Sequence, residues 1–190
     1  MVKKRNDVGS GFYLYLGVRR REQNYIENTF VTLIARLEAL HRKTMNNTAE
    51  SRYVKEQVIR IIADVADRKD RKWLSGCLKH AHEPNLAKRL SDIFSSVDLG
   101  VPPRRLRKFA SQCAEIRNDL SHFGERRGSI GYQTFIRDVA IKNATLSVIY
   151  HAVILNEIGV GREIIHEWLN VRCFSAKAYF VEAGFLNKET

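Results

Sequence analysis

Arg117, Asn118 and His122 are the residues whose types and spacing could do chemistry. Arginine is a fixed cation with five N–H donors in a fork that matches phosphate oxygens. Histidine takes or gives a proton near neutral pH. Asparagine both donates and accepts. Together they suit cleavage of a phosphodiester by an adjacent 2′-hydroxyl. That reaction asks for positioning, proton transfer and charge stabilisation, and it requires no metal.

These side chains need an element to hold them. Leu106, Phe109, Ala110, Cys113, Ile116 and Leu120 recur at spacings of three and four, which predicts one buried stripe on an amphipathic helix. Arg117, Asn118 and His122 fall beside or beyond that stripe, just before Gly124 and Gly128 break the pattern. A helix end is where backbone geometry loosens and side chains can converge.

Spacing alone is weak evidence, because Arg36 and His41 repeat it inside what reads as an ordinary helix. Five residues advance a straight helix by about 500°, which leaves the two side chains roughly 140° apart. Arg117 and His122 converge only if the helix unwinds after Leu120 or if two chains each contribute a pair. The plainer alternative is that Arg117 caps carbonyls and His122 is a C-terminal cation favoured by the helix dipole.

Charge adds to the case. The 190 residues carry a formal net charge of +11, which favours an anionic partner, nucleic acid first. Arg104, Arg105, Arg107 and Lys108 open the motif helix, where cations oppose the dipole. An RNA backbone would hold them there, and a solvated face is the alternative. Arg126 and Arg127, in the loop after His122, either grip a substrate or form a solvated turn.

The rest of the chain reads as helices. The first runs from about Gln23 to Arg42, with Phe30, Leu33, Ile34, Leu37 and Leu40 inward. Ser51 is expected to cap a second, with Val54, Val58, Ile61, Ile62 and Val65 on one face. Asp67 to Arg71 reads as a charged break, followed by a short helix through Trp73, Leu74, Cys77 and Leu78. Asn85 to Phe94, Tyr132 to Ile158, a short piece near Ile164 and Asn170 to Ala183 complete the set. His80 and His82 point apart on a helix, so no metal site is expected at Cys77-to-Glu83. There is no phosphate-cradling glycine loop, and no cofactor is expected.

Hydrophobic residues make up 44% of the chain, enough for a real core. Cys77, Cys113 and Cys173 are odd in number and lack metal-ribbon spacing, as in a reducing cytosol. The most apolar segment, Leu146 to Leu155, contains His151 and is far below spanning length. A cytoplasmic protein without a membrane span is therefore expected.

Arg117-Asn118 followed by His122 at a helix end, in a basic all-helical chain, resembles the HEPN superfamily of ribonucleases. Phe30 and the later run Leu37-Glu38-Ala39-Leu40-His41-Arg42 are similar to the first helix of its ApeA-like branch. The resemblance covers roughly residues 20 to 185. It implies an all-α antiparallel helical bundle over residues 23–187 behind an extension at 1–22. It also implies a homodimer whose motif helices meet at the two-fold axis, bringing two Arg117–His122 pairs into one basic cleft. Family likeness further suggests that Glu38 faces Arg117; the alternative is a surface pairing of Glu38 with Arg42. A toxin or antiphage-defence role is implied too, with an upstream sensor domain or regulatory partner in some forms. Some such toxins carry a modifiable Tyr two residues after the motif His, where this chain has Gly124.

Two other readings compete with a ribonuclease that cuts single-stranded RNA. One is a non-catalytic RNA- or nucleotide-binding module using the same basic cleft. The other is a helical interaction domain whose charge serves solubility or a membrane surface.

Overall fold

The computed structural model describes residues 25–45, 49–121, 131–172 and 174–186. His122, Arg126 and Arg127, and the segment ahead of Tyr25, lie outside the described residues. The elements are α1 Ile26–Thr44, α2 Ala49–Ala63, α3 Arg68–Cys77, α4 Leu86–Ser95, α5 Pro103–Ser121 and α6 Tyr132–Glu157. Then come α7 Arg162–Glu167, a π-helical turn Trp168–Arg172 and α8 Phe174–Glu182. No strand occurs among the described residues, so the fold is all-α as expected.

The chain divides into two compact units, Arg42–Asn85 and the remainder. The larger is built on regular stripes. Phe30, Leu33, Ile34 and Leu37 of α1 are fully buried, as are Leu90 and Phe94 of α4 and Leu146, Ile149 and Val153 of α6. Each such side chain contributes about 1.5–3 kcal/mol by leaving water. α4 and α5 pack closely on each other, and α8 packs on α6. By length and composition α6 could cross a membrane, but 61% of that stretch is buried, the behaviour of a core helix.

Two cross-links fix α6 against α1. Tyr132 Oη donates to Glu27 Oε1 at 2.9 Å, and Asn143 Nδ2 donates to the Ile26 carbonyl at 2.8 Å. Arg36, His41 and Arg89 are buried within the same unit.

The smaller unit is a helical pair, α2 and α3, in which no described residue is buried. Its local signals differ from the sequence reading. Ser51 is no cap: α2 begins at Ala49, and the Ser51 hydroxyl donates to the His82 carbonyl at 3.0 Å. The expected charged break is the start of α3, because Asp67 caps it by accepting from the amides of Lys69 and Asp70. Ile61 and Trp73, placed on inward faces by periodicity, are 51% and 69% exposed. Two short helices offer no interior to bury them in.

Candidate active site

α5 carries Arg117 and Asn118, and its start is well defined. Gly100 adopts φ +65°, where its amide donates to Asp98 Oδ1 at 3.0 Å. That conformation suits glycine, and Pro103 then occupies the first helical position, where its missing N–H is no loss. Leu106, Phe109, Ala110, Cys113 and Ala114 face inward. Phe109 packs against Phe94 and Phe185, with ring centroids 5.9 and 4.8 Å apart.

Beyond Ala114 the cover thins. Ile116 and Leu120, expected to be buried, are only half-buried. Arg117 sits between them in sequence and is half-buried as well. Its Nη1 donates to Asn118 Oδ1 at 3.2 Å, so the neighbouring amide holds one arm of the fork. The remaining guanidinium donors have no protein partner among the described residues.

The outer face of α5 is continuous. Arg104, Arg107, Lys108, Ser111, Glu115 and Asn118 follow one another at helical spacing, and all are exposed. Arg104 lies fourteen residues before Asn118, about 21 Å along the axis. Three cations therefore stand at one end of a solvent-facing strip, with the Arg117–Asn118 pair at the other. Arg105 does something else: its guanidinium donates to the Phe185 carbonyl and ties the end of the chain to the start of α5. Glu38 is half-buried on α1.

The second Arg-to-His pair occupies an interior position. Arg36 is 5% exposed, and its Nε and Nη1 have no hydrogen-bond partner among the described residues. Burial pushes its guanidinium below the usual arginine range, with Tyr150 pulling it back. His41 is fully buried, with Nε2 3.4 Å from Asp92 Oδ2. Burial lowers its pKa, and the hydrogen bond and charge of Asp92 oppose that.

Several other titratable groups are committed to structure. Burial drives the Cys113 thiol far up, against the pull of Lys142. Lys142 pairs with Asp138, and His80 Nδ1 lies 2.6 Å from Glu83 Oε1. His151 packs on Trp168, with centroids 4.6 Å apart, and His166 is exposed. No group of three or more metal-ligating side chains gathers among the described residues.

An all-helical unit that ends its most basic helix in a half-exposed arginine and asparagine now has a known counterpart. The profile of the family described as Apea-like HEPN matches residues 31–164, and the chain belongs to that family. The matched span contains α5 whole, and HEPN domains are associated with nuclease and defence functions. Neither a curated protein nor a solved structure matches the chain.

Proposed function

We propose that this protein is a metal-independent endoribonuclease that cuts single-stranded RNA. The observation that carries the reading is Arg117: a half-exposed guanidinium, oriented by Asn118, at the end of a face that also bears Arg104, Arg107 and Lys108. A phosphate can take the donors that Asn118 leaves open, and the cations draw in the rest of the backbone.

The 2′-oxygen attacks phosphorus, and the 5′-oxygen departs. His122 takes the proton from the 2′-hydroxyl or supplies one to the leaving oxygen. Arg117 neutralises the charge that accumulates on the phosphoryl oxygens in the transition state. The products are a 2′,3′-cyclic phosphate and a 5′-hydroxyl. Arg126 and Arg127 supply further backbone contacts, and Asn118 rather than Glu38 is the side chain that holds Arg117.

The active form is a homodimer about α5. Ile116 and Leu120, half-covered on either side of Arg117, are the apolar surface a second copy would close over. Two copies bring two His122 side chains, one for each proton transfer. The role is that of a toxin or antiphage-defence effector in the cytoplasm, held in check by a sensor domain or regulatory partner.

The test is incubation of the purified protein with single-stranded RNA in chelator, with product ends identified by mass spectrometry. Cyclic-phosphate ends that disappear in Arg117→Ala and His122→Ala support the reading. Cleavage that survives both substitutions ends it. The exposed cations of α5 would also serve binding alone, so tight RNA binding without cleavage under any condition selects a non-catalytic RNA- or nucleotide-binding module.

A further inference from the structure

α3 of the smaller unit carries a large aromatic that the fold does not use. Trp73 is 69% exposed. Lys69, Lys72, Trp73, Gly76 and Cys77 line an open hollow of about 540 Å³. The spacing places Lys69, Trp73 and Gly76 on one face of the helix, with Lys72 beside them.

Each group at this hollow is available. Lys69 and Lys72 have no ion pair or hydrogen-bond partner for their ammonium groups among the described residues. Arg71, by contrast, is spent on structure: Nε and Nη2 donate to the Val65 carbonyl at 3.0 and 2.7 Å. Asp70, the helix's own carboxylate, is not part of the hollow's lining. A Cβ added at Gly76 would meet nothing within 4 Å. Neither a positive φ nor close packing therefore requires glycine there, although it costs the helix about 1 kcal/mol relative to alanine. Its effect is to leave the wall beside the indole flat.

We propose that Trp73, with Lys69 and Lys72, is a stacking platform for an unpaired base of single-stranded RNA. A nucleobase lays its π-face on the indole, and the phosphates on either side reach the two ammonium groups. Charge complementarity selects this occupant: the unit holds ten Lys and Arg against six Asp and Glu. A protein partner fits less well, because interface cores are depleted in lysine. A membrane fits less well too, because a ten-residue helix with one large exposed apolar side chain lacks a continuous insertion face. The platform rests on RNA being the ligand and adds that unpaired bases are read by stacking, on the unit that lacks the Arg117 motif.

The experiment uses the full chain and a 2′-O-methyl single-stranded oligonucleotide, which cannot be cut because its attacking hydroxyl is blocked. Affinity is measured by titration, with tryptophan fluorescence as a second readout. Trp73→Ala weakens binding about tenfold, while Trp73→Phe keeps most of it. Gly76→Gln fills the hollow with a good helix former and weakens binding while circular dichroism stays unchanged. A duplex of the same sequence binds the parent and Trp73→Ala alike. Unchanged affinity of Trp73→Ala, in a parent that binds and cleaves RNA, overturns the platform and leaves the ribonuclease intact. Stacking at Trp73 in a chain that never cleaves RNA keeps the platform and overturns the ribonuclease. A Trp73 response to phosphatidylserine vesicles and none to oligonucleotide overturns the platform in favour of a lipid surface.

Discussion

Arg36 and His41 of α1 stand five residues apart in sequence, as do Arg117 and His122, yet Arg36 and Arg117 occupy different surroundings. On α1 both side chains are closed off from water by a helix whose Leu33, Ile34, Leu37 and Leu40 are also buried. On α5 the apolar cover ends with Ala114, and Arg117 reaches solvent with donors to spare. An arginine can bind a phosphate only where phosphate can approach. An imidazole can shuttle protons only where burial has not fixed its state. Position along the helix, relative to where packing stops, separates a catalytic candidate from a core residue.

Four measurements break or sharpen that contrast. The largest effect falls on α5: Arg117→Ala and His122→Ala each lower RNA cleavage by about 10²- to 10⁴-fold. Arg36→Met, made in parallel, leaves cleavage intact, and an equal loss there would erase the distinction. Next comes stability. Arg36→Met replaces two buried guanidinium nitrogens, unpartnered among the described residues, by an apolar chain of similar length. It should raise unfolding free energy by about 1–3 kcal/mol in urea titrations. A loss of that size would mean that the guanidinium has a partner of real value.

The third effect is on binding. Arg107→Ala with Lys108→Ala weakens RNA affinity a few-fold and makes the plot of log affinity against log salt shallower by about two. An unchanged slope would take these cations out of the interface. The smallest effect is on pH dependence. Burial holds the His41 imidazole below its ordinary 6.5, although Asp92 pulls it up and Arg89 and Lys88 push it down. The unfolded chain then binds the extra proton. The stability His41 contributes is present above about 6.5 and is lost as pH falls through the lower folded value. His41→Gln should flatten the fall in melting temperature between about pH 7 and about pH 5.

Much of the fold was legible in the chain because it is written in unbroken stripes. Phe30, Leu33, Ile34, Leu37 and Leu40, then Leu106, Phe109, Ala110 and Cys113, are buried as their spacing says. Spacing fails where burial depends on what lies opposite. Trp73 and Ile61 satisfy a helical period but have no core to enter. Arg36 and His41 are polar, yet they sit on a face that packing covers on all sides. At the candidate site, the sequence marked Arg117 and Asn118, and the structure shows them bonded to each other near the last turn of α5. It could not show that Arg105 is drawn to the Phe185 carbonyl, since that contact joins residues 80 positions apart.

Cys77 and Cys113 give the two units separate clocks. Cys77 is exposed, whereas Cys113 is shut in, with its thiolate strongly disfavoured. An alkylating reagent therefore modifies Cys77 in the native protein and reaches Cys113 only when the larger unit opens. Peptide-by-peptide mass spectrometry of a timed reaction would report the opening rate of the larger unit against an internal reference, with no engineered probe.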